Sequence, residues 1–102
     1  MPVDKFQIRL LSIAEDDFTE IISFIALDNP DAAVKTANTI EHHLELLSEN
    51  PFLGRTPRDI DIRNLGYRYI IVLNYLIFYT IEDKIICIHR ILHSARNYKK
   101  LL

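Results

Sequence analysis

Beyond its first ten residues, the hydrophobic pattern of this 102-residue chain changes period once, across Pro51-Phe52-Leu53-Gly54-Arg55-Thr56-Pro57. Before that segment apolar residues recur at helical spacing; after it they run as in strands. Helices first and strands afterwards points to an α+β layer arrangement rather than alternating βαβ units. Two prolines and a glycine make residues 51–57 a connecting loop.

Within the first half, Phe6-Gln7-Ile8-Arg9-Leu10 alternates apolar and polar residues and predicts a half-buried strand. Ser12-Ile13-Ala14-Glu15 fits a capping box, with Asp16 and Asp17 adding negative charge to the first helical turn. Phe18, Ile21, Ile22 and Ile25 then form one apolar face. Asp28-Asn29-Pro30 ends that helix and starts a second, which runs to about Ser48 with Ala33, Ala37, Ile40, Leu44 and Leu47 as its stripe. So short a break predicts an antiparallel helical hairpin.

In the second half, Ile62 to about Val72 reads as one or two extended segments broken at Gly66. Tyr75–Ile81 and Lys84–Leu92 read as strands, with tight turns at Leu73-Asn74 and Glu82-Asp83. The expected order is β-α-α-β-β-β: a helical hairpin packed on a mainly antiparallel sheet, forming one domain over residues 1–102.

Several chemistries are excluded. Cys87 is the only cysteine, so there is neither a disulfide framework nor a cysteine zinc site. Two glycines cannot build a phosphate-cradling loop. His42 and His43 are adjacent on a helix and point apart, which makes a shared metal ion a poor fit. No metal or cofactor is expected. The first twenty residues show no signal-peptide core, and no apolar run approaches bilayer length, so the expectation is a cytoplasmic protein without a membrane span.

Charge is distributed unevenly. Residues 1–54 carry three Lys/Arg against ten Asp/Glu, −7; residues 55–102 carry nine against four, +5; together they make the −2 of the whole chain. Either the basic half meets an acidic partner, or the two halves neutralise each other in the fold. Arg90, His93, Arg96 and Tyr98 emerge as the last strand ends, and Arg55, Arg63 and Arg68 lie earlier in the same half. Arginine forks suit phosphate or carboxylate, histidine moves protons near neutrality, and tyrosine donates or stacks. Arg55 is also expected to cap the end of the second helix.

Five short motifs in register resemble the RelE/ParE superfamily of type II toxin–antitoxin toxins. They are Asn29-Pro30-Asp31-Ala32-Ala33, Pro51-Phe52-Leu53-Gly54-Arg55, Tyr67-Arg68, Asn74-Tyr75-Leu76-Ile77-Phe78-Tyr79, and Arg90-Ile91-Leu92-His93-Ser94-Ala95-Arg96-Asn97-Tyr98. The resemblance covers essentially the whole chain. It implies a toxin causing growth arrest, of the kind tied to plasmid stabilization, neutralised by a cognate antitoxin in a toxin–antitoxin hetero-oligomer.

RelE-like members are ribosome-dependent mRNA endonucleases needing no metal; ParE-like members poison DNA gyrase. Where the RelE-like pattern has arginine after the tyrosine of the Tyr75 motif, this chain has Leu76, and the preceding strand offers Arg68 but no lysine. The ParE-like branch is therefore favoured. Its target-binding set would be Arg55, Arg63, Arg68, Arg90, His93 and Arg96. In the nuclease alternative, acting on mRNA at the ribosome, Arg68 or Arg90 would hold phosphate and His93 or Tyr98 would serve as general acid. On either reading, Arg90→Ala and His93→Ala are expected to reduce toxicity without unfolding the protein.

Overall fold

The change of period at residue 51 separates the helical hairpin from three of the four strands. The computed structural model describes residues 5–102, with β1 (Gln7–Leu10), α1 (Ser12–Asp28), α2 (Pro30–Glu49), α3 (Ile60–Asn64), β2 (Arg68–Val72), β3 (Tyr75–Glu82) and β4 (Ile85–His93). A single 3-10 turn, Tyr98–Lys100, follows. The sheet order is β1-β4-β3-β2; β1 runs parallel to β4 and the other pairings are antiparallel. The expected α+β arrangement stands.

The core lies between the helical hairpin and one sheet face. Ala14, Ile40, Leu44 and Leu47 of the helices meet Ile70, Val72, Ile77, Tyr79, Ile86, Ile88 and Ile91 of the strands. These sheet residues alternate, as one buried face of a pleated strand requires, until β4 reaches a bulge. Tyr79 pairs with Ile88 but Phe78 pairs with Arg90, so His89 is the extra residue. Past it the phase is inverted. Ile91 therefore joins the core beside Ile86 and Ile88, and does not share the opposite face with Cys87 and His89 as simple alternation would have it.

Three local expectations are corrected. Leu11, not Ser12, is the N-cap of α1, and no side chain caps it, so the capping box does not form. The Leu11 N–H donates to the Ile88 carbonyl at 3.0 Å, so strand pairing holds Leu11 extended and Ser12 already lies inside the helix. Ile60–Asn64 is a short helix rather than an extended segment. The Asp59 carboxylate accepts from the Ile62 N–H at 3.1 Å, which starts the turn, and Ile62 is buried beneath it.

Arg55 does not cap α2. Its backbone exchanges two hydrogen bonds with Tyr69, forming an isolated bridge on the edge of β2. The hairpin junction is as expected: Asn29 accepts from the Ala32 N–H at 3.0 Å and Pro30 occupies the first turn of α2. No helix among the described residues is long and apolar enough to cross a membrane.

Candidate functional site

β1 stops at Leu10, so beyond Ile88 one edge of β4 has no strand neighbour. Asp17 of α1 takes that place. Its carboxylate accepts from the Ile91 N–H at 3.0 Å and from Nε and Nη2 of Arg90 at 2.8 and 2.9 Å. Both side chains are nearly buried, at 13% and 10% exposure. The hydrogen bonds that Arg90 donates to Asp17 push its pKa up, against the burial that opposes it. Nη1 of Arg90 reaches the Leu101 carbonyl at 3.2 Å, tying the C-terminal segment to the same point. Arg90 is thus a neutralised clamp joining α1, β4 and the chain end.

Beside the clamp, α1 and the ends of β3 and β4 enclose a cleft of about 260 Å³ lined by Glu20, Ile21, Phe24, Tyr75, His93 and Arg96, with Asp17 at its floor. Nδ1 of His93 accepts from the Ala95 N–H at 3.1 Å, so in the neutral ring the proton sits on Nε2. The ring stands edge-on to Tyr75, centroids 5.8 Å apart. Arg96 is exposed at the mouth, and its backbone N–H closes a turn onto the His93 carbonyl. Phe24 and Leu27 continue an apolar strip outward, both largely exposed.

On the sheet face away from the hairpin, aromatic residues do the covering. Phe78 packs against Tyr67, Tyr69 and Tyr98, with centroids 6.5, 5.7 and 5.1 Å away. His89 joins them: Nε2 lies 2.8 Å from the Thr80 hydroxyl and Nδ1 lies 3.4 Å from the Tyr67 hydroxyl. Burial pushes the His89 pKa down and the Tyr67 pKa up. Tyr98 is held over Phe78 by its neighbour, since Lys99 pairs with Asp59 at 2.6 Å.

The basic residues singled out from sequence do not converge. His93 and Arg96 share the cleft beside α1, and Arg90 is spent on Asp17 next to it. Arg63 and Arg68 line a different cleft near α3, and Arg55 a third between α2 and β2. Sequence reasoning missed Asp17 altogether, reading it as a complement to the helix dipole. A signal was there: Ala14, Asp17 and Ile21 are spaced three and four residues apart, so Asp17 occupies the inward stripe. Tyr79 was also missed. Its buried hydroxyl donates to the Pro51 carbonyl at 2.8 Å and accepts from the Gly54 N–H at 2.9 Å, holding the loop that leads out of α2.

A family model described as the ParE toxin of type II toxin–antitoxin systems matches residues 8–98. No curated protein is similar enough in sequence to count as a relative. Among solved structures, the chain is similar to one from the chromosomal ParDE toxin–antitoxin system of P. aeruginosa, with a TM-score of 0.73 at 19% identity, covering 88% of this chain and 97% of that one. It is also similar to a chain of the RelBE2 toxin–antitoxin complex of Mycobacterium tuberculosis, with a TM-score of 0.64 at 20% identity, covering 93% and 98%. At such identities these two likenesses speak for the fold.

Proposed function

The chain belongs to the ParE toxin family and is the toxin of a type II toxin–antitoxin module; from that premise we propose that it arrests growth by gripping DNA gyrase in the cytoplasm rather than by cutting mRNA. The observation that carries the reading is the aromatic closure of the sheet face away from the hairpin. Cleavage of RNA by a metal-free route requires a base, an acid and a cation around one phosphate. On this face Tyr67, Tyr69, Phe78 and Tyr98 pack on one another, Leu76 contributes no charge, and Arg90 is neutralised by Asp17. Of the two candidate acids, Tyr98 is packed on Phe78 and His93 belongs instead to the cleft beside α1. A protein that grips needs only rigid donors, and His93 Nε2–H and Arg96, which share the cleft beside α1, meet that need.

The partner that silences it is an antitoxin. We place its amphipathic segment on the exposed apolar strip of Phe24 and Leu27 and in the adjoining cleft, where Arg96 favours an acidic side chain. One purified sample decides between grip and cut. Inhibition of gyrase supercoiling with trapped cleaved DNA, relieved by antitoxin and absent in Arg96→Ala, is the expected result. Rapid cleavage of translated mRNA with unimpaired supercoiling would overturn it.

A further inference from the structure

The cleft between α3 and the start of β2 is lined by Phe52, Thr56, Arg63, Gly66, Tyr67 and Arg68, with Ile81 beneath, and encloses about 270 Å³. No carboxylate lines it, in contrast to the cleft beside α1. Two arginines line it, and both guanidinium groups are held by neutral backbone oxygens. Arg63 donates from Nε to the Pro57 carbonyl at 3.1 Å and from Nη2 to the Arg58 carbonyl at 2.9 Å. Arg68 donates from Nη2 to the Gly54 and Phe52 carbonyls at 2.7 and 3.3 Å. Carbonyls fix the forks in place without cancelling their charge, which separates this pair from Arg90.

Two further features mark the cleft as unfinished. Nε of Arg68 is buried and has no hydrogen-bond partner. An orphaned charged donor is costly, and its presence in a cleft wall points to an anion that would complete the set. The Phe52 ring covers this guanidinium at 5.4 Å from centroid to Cζ, yet is itself 67% exposed and can swing aside. Gly66, at φ +88°, leaves open space at the rim, and Thr56 adds a hydroxyl donor.

We propose that this cleft is a binding site for a phosphate group, which Arg63 and Arg68 clamp from two sides while Phe52 offers a face for an attached base. The ligand is free phosphate, a nucleotide, or the backbone of a nucleic acid; the chemistry recognised is the same. This site is separate from the gyrase-gripping cleft, and either can fail alone.

The test follows the arginine Nε–Hε resonances of the ¹⁵N-labelled wild-type protein as sodium phosphate is added, against sodium chloride at matched ionic strength. The Arg63 and Arg68 resonances should shift saturably while those of Arg58 and Arg96 stay in place. Phe52→Glu sets a carboxylate at an exposed rim position, and it should weaken binding roughly tenfold without loss of fold. Parallel titrations with AMP and a short single-stranded oligonucleotide identify the source. Equal affinity for phosphate and AMP means the phosphate group alone, tighter AMP binding with Phe52 ring shifts means a nucleotide, and saturation by the oligonucleotide alone means a nucleic-acid backbone. Uniform drift of all arginines, no saturable shift with any of the three, or unchanged affinity in Phe52→Glu would overturn the proposal.

Discussion

Asp17 and Arg90 show how one buried pair changes the meaning of a conspicuous arginine. Removing either partner leaves the other desolvated and unpaired, and loss of Asp17 also orphans the Ile91 N–H. Asp17→Ala should therefore destabilise the protein by about 3–5 kcal/mol in urea unfolding. Arg90→Ala should be nearly as damaging, which replaces the expectation that it leaves the fold intact; a loss under about 1 kcal/mol in both would refute the clamp. Neither role was legible in sequence, because the partners lie 73 residues apart and each residue alone has a blander explanation. His89 makes the second prediction at this scale. Burial lowers its folded pKa from 6.5, with Glu82 opposing. Below that ordinary value the unfolded chain takes the proton more readily, so the stability this residue contributes is present above pH 6.5 and is lost as pH falls. Urea midpoints at about pH 5 and about pH 8 should differ more in the wild type than in His89→Gln; equal differences would reject the assignment.

Among the elements, the helix starts separate what sequence rules anticipate from what the fold overrides. Asn29 caps α2 as its position beside Pro30 suggested. Ser12 had the better motif and forms no cap, because β1 delivers the chain to α1 already extended by the Leu11–Ile88 hydrogen bond. Asn29→Ala should then cost about 1 kcal/mol and Ser12→Ala less than about 0.5 kcal/mol. Thermal unfolding of the two variants checks this, and a reversed order would contradict the cap assignment. The same limit explains α3, since Ile60-Asp61-Ile62 alternates as a strand does and only the Asp59 cap and the burial of Ile62 reveal a helical turn. The bulge at His89 leaves no mark in the pattern of residues 85–93, so the inward turn of Ile91 was out of reach. Long periodic elements, by contrast, were legible: the stripes of α1 and α2 and the three later strands follow from spacing alone.

For the whole molecule, the two sheet faces are closed by different means. One carries the helical hairpin; the other has only its aromatic residues and the chain end lying across them. Three attachments hold that end: Tyr98 against Phe78, Lys99 on Asp59, and the Leu101 carbonyl on Arg90. Among the described ion pairs, Asp17–Arg90 joins the acidic and basic halves, whereas Lys5–Glu49 and Lys99–Asp59 each stay within one half. Ending the chain after Asn97 removes all three attachments but no residue of the helix-facing core. Phe78, now 1% exposed, would meet water. The expected outcome is a loss of about 2 kcal/mol, from one aromatic pair and the area beneath it, with new binding of a hydrophobic dye. Far-ultraviolet circular dichroism should keep its helical signal, since α1 and α2 lie on the other face. A truncated protein with unchanged stability and no dye binding would mean that Tyr98 lies on the sheet without covering it.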